Sequence, residues 1–171
     1  MMAKASRYAP LLLLAVLLAP PVAAYADESG APSQRAILLS LKDAMGGTSG
    51  NYFVPNTPVA IQFAFGLGGP PSKTIPNSDG TFLISACRYH SCQEKAAVVA
   101  DKSGKVRTAA LIHFACHFTA PRQIECAHEP GLTIFSLVSK PSEIDIAAMR
   151  GWAKQYGVSD AGDLITVGNA K

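Results

Sequence analysis

Two cysteines between two apolar runs place the strongest constraint on how this chain folds. The segment "TFLISACRYHSCQEKAAVVA" carries Cys87 and Cys92 with four residues between them and strand-forming residues on both sides. Two such runs joined by a short polar connection are typical of an antiparallel hairpin. Facing residues of antiparallel strands lie about 5.5 Å apart, which suits a disulfide. The spacing therefore predicts a hairpin whose four-residue loop, "RYHS", carries His90 at its tip.

The first 26 residues have the organisation of a secretory signal peptide. Lys4 and Arg7 form a basic start, Leu11–Leu18 is an unbroken apolar run, and "AYA" at its end supplies small residues for cleavage. The apolar run is shorter than the roughly 18 residues of a membrane span, and no later run reaches that length. We therefore expect Sec-type export, removal of residues 1–26, and a single soluble domain over residues 27–171 in which disulfides can form.

Charge and motifs exclude several classes of protein. The whole chain has 15 basic and 12 acidic residues; without Lys4 and Arg7 the exported form has 13 and 12, a formal charge of +1. It has no basic run interleaved with aromatic residues, so nucleic-acid binding is not expected. No nucleophile elbow or zinc-protease motif is present, so we expect neither an enzyme nor a cofactor. We interpret four acidic side chains as solvated loop or turn charges: Glu94, Asp101, Glu125 and Glu129.

Two segments have the periodicity of helices. In "SQRAILLSLKDAMGG" the residues Ile37, Leu41 and Met45 recur every four positions ahead of two glycines, which predicts an amphipathic helix. In "SEIDIAAMRGWAKQYG", Ser142 and Asp145 fit a capping box, which predicts a C-terminal helix. Its buried face is predicted to carry Ile144, Ala148, Trp152 and Tyr156.

The remaining regular segments have the pattern of strands. "VAIQFAFG" (59–66) alternates large and smaller residues, which predicts a strand. "TFLISA", "KAAVVA", "VRTAALIHFAC" and "LTIFSLV" are short and separated by turns, which favours an antiparallel meander over a parallel sheet. We therefore predict an α+β fold: a central antiparallel sheet of about five strands, packed by an N-terminal and a C-terminal helix, with the disulfide-closed loop protruding from one hairpin.

Four cysteines allow three disulfide connectivities. The hairpin geometry favours local pairing, Cys87 with Cys92 and Cys116 with Cys126, the second pair closing the loop "HFTAPRQIE". A zinc or copper site would instead combine cysteines with some of the four histidines, although the usual two-residue cysteine spacing is missing. A redox couple would need Cys-x-x-Cys, which is also missing. Outside the loop, we interpret His113 as a satisfied sheet residue, and His117 and His128 as loop surface.

A known family carries the same loop motif. Residues 80–105, "GTFLISACRYHSCQEKAAVVADKSGK", resemble the corresponding region of the Ivy family, periplasmic inhibitors of vertebrate-type (C-type) lysozyme. That family has Ser-Ala-Cys-Lys-Pro-His-Asp-Cys at the end of a strand, and this chain matches its serine, alanine, histidine and both cysteines at the same spacing. Arg88 keeps the basic character of the family's lysine. Tyr89 and Ser91 stand where the family has proline and aspartate.

The resemblance implies a function for the loop. A periplasmic protein of this kind would insert His90 between the two catalytic carboxyl groups of a C-type lysozyme or a related peptidoglycan hydrolase. Arg88, Tyr89 and Ser91 would contact the rim of the cleft, and the disulfide would limit the entropy lost on binding. Monomer and homodimer both remain open. The alternative is an exported metal-binding or structural accessory protein that uses the cysteines and histidines.

Overall fold

A six-stranded sheet organises the computed structural model, which describes residues 30–158 and 162–167. The predicted signal peptide lies outside these residues. Along the chain the elements are α1 (Gln34–Met45), β1 (Ser49–Gly50), β2 (Thr57–Pro58), α2 (Val59–Gly66), β3 (Ile75–Pro76), β4 (Phe82–Arg88), β5 (Ser91–Ala100), β6 (Val106–His113), β7 (Cys116–Ala120), β8 (Gln123–Cys126), β9 (Gly131–Ser136), α3 (Glu143–Lys154) and β10 (Asp163–Thr166).

The sheet is mostly antiparallel, and the predicted α+β class is confirmed. Its strand order is β10-β9-β6-β5-β4-β3. The strands from β3 to β9 pair antiparallel, whereas β10 joins β9 in parallel and makes the sheet mixed. Two ribbons lie apart from it, β1 with β2 and β7 with β8. The predicted meander therefore forms the centre of the molecule.

Helices cover both faces of the sheet. Successive residues of a strand point to opposite faces, so Val98 of β5 joins one apolar cluster and Val99 the other. The first cluster packs under α1 and α2, and the second packs under α3. The predicted stripe of α1 is confirmed, since Ile37, Leu41 and Met45 are all buried. This three-layer packing fixes β4 and β5 from both sides.

The predicted strand at 59–66 is wrong, because these residues form α2. The buried positions are Val59, Gln62, Phe63 and Gly66, which have helical spacing. Gln62 is the residue that period-two alternation assigned to the outer face, yet it is fully buried. Its Oε1 accepts from the backbone N–H of Phe53 at 2.7 Å, so the helix secures the loop before it.

Helix α3 begins as predicted but is rotated from the predicted face. The Ser142 hydroxyl accepts from the Asp145 N–H at 3.3 Å, which confirms the cap, and Trp152 is buried as expected. Ile144 is nevertheless 67% exposed, while Asp145 is buried. The reason is an ion pair of 2.7 Å between the Asp145 carboxylate and Arg107 of β6, which turns the acidic residue inward. No helix in the described residues is long and apolar enough to cross a membrane.

Candidate functional site

Both predicted disulfides are present. Cys87 is bonded to Cys92 with their Cα atoms 4.7 Å apart, and Cys116 to Cys126 with a separation of 4.0 Å. Local pairing is therefore confirmed over the two other connectivities. Each bridge closes a hairpin, and the hairpin of β4 and β5 carries the predicted loop.

The loop is a two-residue turn on a bulged strand pair. Arg88 pairs with Ser91, so Tyr89 and His90 are the central residues of the turn, called here the His90 turn. Cys87 pairs with Lys95, so Cys92, Gln93 and Glu94 bulge out of the ladder: the strand pair is irregular where the disulfide closes it. His90 has a φ of 64°, a left-handed conformation that is uncommon for residues other than glycine. The covalent bridge therefore holds a conformation that a free chain would seldom adopt.

Two aromatic rings form the tip of the turn. The ring centroids of Tyr89 and His90 lie 4.1 Å apart, with 65° between the ring planes. Both side chains are exposed, and Tyr89 is 65% accessible. The tip thus presents an exposed imidazole with an aromatic neighbour. Ser91 lies lower and is half-buried.

An ion pair secures the base of the turn, and sequence reasoning missed half of it. The Arg88 guanidinium donates to the Glu94 carboxylate at 2.6 Å and lies 5.7 Å from the centre of the Phe53 ring. Glu94 is only 7% exposed, so its interpretation as a solvated loop charge is wrong. The strand bulge turns Glu94 inward toward the guanidinium. Arg88 therefore holds the turn against the sheet.

A glycine in the segment between α2 and β3 supports the other side of the turn. The Gly69 N–H donates to the Cys87 carbonyl at 3.0 Å, and Ser72 donates likewise to Ser85 at 2.8 Å. A Cβ atom on Gly69 would lie 2.3 Å from the Cys87 oxygen. Only a residue without a side chain fits this close approach of two backbones. The sequence signal for this approach is the Gly68-Gly69 pair.

Surface grooves lie on both sides of the His90 turn. One, of about 220 Å³, is lined by Ala64, Phe65, Gly68, Arg88 and Tyr89. The other, of about 470 Å³, has Cys92 and Gln93 of the turn on one side and residues at the base of the second disulfide hairpin on the other. The tip therefore stands above two concave surfaces.

The other histidines occupy different surroundings. His117 and His128 are exposed, as predicted. His113 is buried, and its Nε2 lies 2.9 Å from the Thr133 hydroxyl, but its Nδ1 has no hydrogen-bond partner among the described residues. Burial lowers the pKa of His113 to about 4, against a small opposing effect of the Asp163 charge. The prediction of a satisfied sheet residue is thus right for one ring nitrogen only.

The cysteines and histidines were the ligands expected for the alternative zinc or copper site. All four cysteines are in disulfides, so they offer no thiolate ligand. Over residues 30–158 and 162–167, no three His, Cys, Asp or Glu side chains are grouped so as to hold a metal ion.

No family model, curated protein or solved structure matches the chain. The resemblance to the Ivy motif therefore stays a prediction from residues 80–105 of the sequence.

Proposed function

We propose that this protein is an exported, periplasmic inhibitor of C-type lysozyme or a related peptidoglycan hydrolase, and that His90 enters the catalytic cleft of the enzyme. The observation that carries the proposal is the His90 turn: an exposed imidazole on a two-residue turn closed by Cys87–Cys92. The Ivy-like motif around it supports the choice of target. The leader-like residues 1–26 support the location.

The shape of the turn suits insertion into a cleft. Only two residues, Tyr89 and His90, separate the paired positions Arg88 and Ser91, so the projecting part is narrow. Both central side chains are exposed, and neither has to leave a core before binding. Large aromatic groups that become desolvated at the centre of an interface commonly dominate its binding energy. The tip is therefore the part of this surface from which we expect most of the affinity.

The chemistry of the imidazole suits a glycosidase active site. Lysozyme cleaves its substrate with two carboxyl groups that flank the scissile bond. An imidazole between them can hydrogen-bond to both through its two ring nitrogens, and a positive charge on the ring is favoured beside a carboxylate. The same insertion fills the sugar site. His90 would thus block the reaction without taking part in any chemistry, so we propose no enzymatic activity.

The surroundings of the turn reduce the entropy lost on binding. The disulfide closes the turn, the Arg88–Glu94 ion pair fixes one side of its base, and the Gly69 N–H fixes the other. A loop that is already ordered loses less freedom on association, and this raises affinity. The ion pair thus supports inhibition through the position of His90.

Metal binding stays a hypothesis of a different class. Exposed His90, His117 and His128 are the imidazoles that it would use, because His113 is buried and the cysteines are oxidised. No contact among the described residues favours this alternative, so the inhibitor is the function that we propose.

A lysis assay tests the proposal. We expect micromolar protein to inhibit cleavage of a cell-wall substrate by C-type lysozyme. His90→Ala should weaken the inhibition constant about thirtyfold, or about 2 kcal/mol, as at a central interface residue. Lys42→Ala, on the exposed side of α1, is the control and should inhibit like the wild type. Full lysozyme activity with the wild-type protein, or equal inhibition by His90→Ala, would contradict the proposal for this target.

A further inference from the structure

The second disulfide hairpin lies outside the main sheet and has the same arrangement of disulfide and two-residue turn as the first. Strands β7 and β8 pair only with each other, as far as the described residues show, and Cys116–Cys126 bridges their base. Ala120 pairs with Gln123, so Pro121 and Arg122 are the central residues of its turn. Arg122 has a φ of 70°, close to the 64° of His90. This hairpin, residues 116–126, is called here the arm.

The arm leaves the sheet at the end where the His90 turn is located. Lys95, at the base of the His90 turn, pairs with Ile112 near the end of β6. His113 then pairs with Gly131, the first residue of β9, and the arm is inserted between these two strands. Hydrogen bonds from Cys116 N–H to the Asn51 carbonyl and from Ala127 N–H to the Ala115 carbonyl, both 3.0 Å, fix its base.

A continuous groove connects the two hairpins. The groove of about 470 Å³ has Cys92 and Gln93 of the first hairpin on one side. Phe114, His128 and Pro130, which flank the arm, line the other side. A partner that covered the His90 turn and extended along this groove would reach the arm without crossing a gap in the surface.

The arm exposes an apolar pair that residues 30–158 and 162–167 leave uncovered. Phe118 and Ile124 face each other across the ribbon and are 49% and 52% exposed. They share one face with the disulfide, because side chains two residues apart on a strand point the same way. A two-stranded ribbon alone is only marginally stable, so the disulfide is needed to hold Phe118 and Ile124 in place. Because both side chains stay exposed, they contribute little to the stability of the fold. Together the two side chains form a small exposed apolar patch that another molecule can cover.

We infer that the arm is a second contact with the enzyme that accepts the His90 turn, and that Phe118 and Ile124 pack on an apolar part of that enzyme beside its cleft. The inference rests on the proposed function. Two contacts on one rigid sheet end bind as a unit, so the arm should act mainly by slowing dissociation. The tip would block catalysis, and the arm would lengthen the lifetime of the complex.

The double variant Phe118→Ser/Ile124→Ser tests the inference. We expect the Kd for C-type lysozyme, measured by surface plasmon resonance, to rise about tenfold, mostly through a faster dissociation rate. Inhibition at saturating concentration should remain complete, because His90 is unchanged. The matched control is Leu39→Ser/Ile144→Ser, which removes two apolar side chains that are at least as exposed, 51% and 67%, from α1 and α3. The control should bind like the wild type, and circular dichroism should show that both variants are folded.

The outcomes separate the arm from the turn. If His90→Ala weakens binding but the arm variant binds like the wild type, the arm inference is wrong and the proposed function stands. If wild-type protein does not bind lysozyme, both are wrong for this enzyme. Sedimentation of the free protein tests the alternative that the arm binds a second copy of this chain. A wild-type dimer that the arm variant converts to a monomer would show this and would overturn the inference.

Discussion

The two disulfide hairpins have similar turns but very different support. Strands β4 and β5 lie inside the six-stranded sheet, and residues such as Ala96 and Val98 are fully buried between helical layers. In the arm, by contrast, every residue from His117 to Cys126 except Ala120 is exposed. The first disulfide therefore closes the end of a hairpin that packing already holds, whereas the second bridges a ribbon with little packing of its own.

This difference separates two uses of the same bond. In the first hairpin the disulfide restricts the conformations of the His90 turn. Loss of this disulfide should increase mobility only in the residues near His90. In the arm the bridge supplies most of the order, because a two-stranded ribbon in water is marginal without further packing. A disulfide thus restricts the conformation of the turn in one hairpin and keeps the whole ribbon folded in the other.

Removal of the arm disulfide should produce the largest change in local hydrogen exchange. In Cys116→Ser/Cys126→Ser we expect the amides of Phe118 and Ile124 to lose their hydrogen-exchange protection, to within about tenfold of the rates of an unfolded chain. The loss of the cross-link should also reduce the free energy of unfolding by about 2 to 3 kcal/mol. Amides of β5 and β6 should remain protected. Exchange measured by NMR tests each strand separately.

The matched variant is Cys87→Ser/Cys92→Ser. Here exchange should accelerate only around the His90 turn, and Ala96 to Ala100 should keep their protection, because these residues are buried in the sheet. Lysozyme binding should weaken less than in His90→Ala, since the same contacts remain available to a looser turn. Equal loss of protection in the two hairpins would contradict the comparison.

Acid should weaken the base of the arm. His113 lies where β6 ends before the arm, and burial lowers its pKa to about 4 from the ordinary 6.5. The folded state therefore binds fewer protons than the unfolded state between these values. Stability from this group is complete above pH 6.5, declines as the pH falls, and is lost by about pH 4, a total of about 3 kcal/mol.

Urea denaturation at a series of pH values measures this effect. His113→Gln removes the titrating group, so the wild type should lose about 3 kcal/mol more than this variant between pH 6.5 and 4. Parallel pH profiles for the two proteins would show that His113 is not buried in its neutral form.

The base of the His90 turn should respond to loss of its ion pair. Glu94→Ala leaves Arg88 without its carboxylate partner beside Phe53, and we expect a loss of about 2 kcal/mol in the free energy of unfolding. Glu125→Ala, in the exposed arm, is the control and should change stability by less than about 0.5 kcal/mol. If both substitutions have the same small effect, the Arg88–Glu94 pair does not support the turn.

A methyl group at Gly69 should disturb the other side of the turn. The Cβ of Gly69→Ala would meet the Cys87 carbonyl oxygen at 2.3 Å, so one backbone must move, at a cost of about 1 to 3 kcal/mol. Gly47→Ala is the matched control, because no described atom lies within 4 Å of the Cβ position there. The melting temperature and the inhibition of lysozyme are measured for both variants. A melting temperature for Gly69→Ala equal to that of Gly47→Ala would show that the close approach is unimportant.

Sequence patterns predicted the centre of the molecule well. The α1 stripe, the meander and both disulfides follow from local periodicity and short spacing, which require no knowledge of distant contacts. Strand 59–66 failed for a physical reason: with seven apolar or small residues in eight, periods of two and 3.6 fit equally well. The hydrogen bond from the Phe53 N–H to buried Gln62 favours the helix, and it joins residues nine positions apart, beyond the reach of a local pattern.

The supports of the candidate site were harder to predict than its tip. The motif itself points to His90 and the two cysteines as candidates, and Tyr89 follows from its place beside His90. Glu94 is buried only because the strand bulges, and the close approach of Gly69 depends on where a connector returns to the sheet. Parallel pairing of β10 with β9 likewise comes from contacts across the sheet edge. Tertiary contacts therefore determined the parts that local patterns missed.

Competition with a sugar ligand tests the central claim most directly. The claim is that His90 occupies the same cleft of lysozyme as the substrate. Calorimetric titration of wild-type protein into C-type lysozyme, repeated with increasing N-acetylglucosamine trisaccharide, measures whether the two exclude each other. We predict that the apparent Kd rises in proportion to the trisaccharide concentration once the cleft is saturated. An unchanged Kd, with trisaccharide and protein bound together, would contradict insertion of the His90 turn into the cleft.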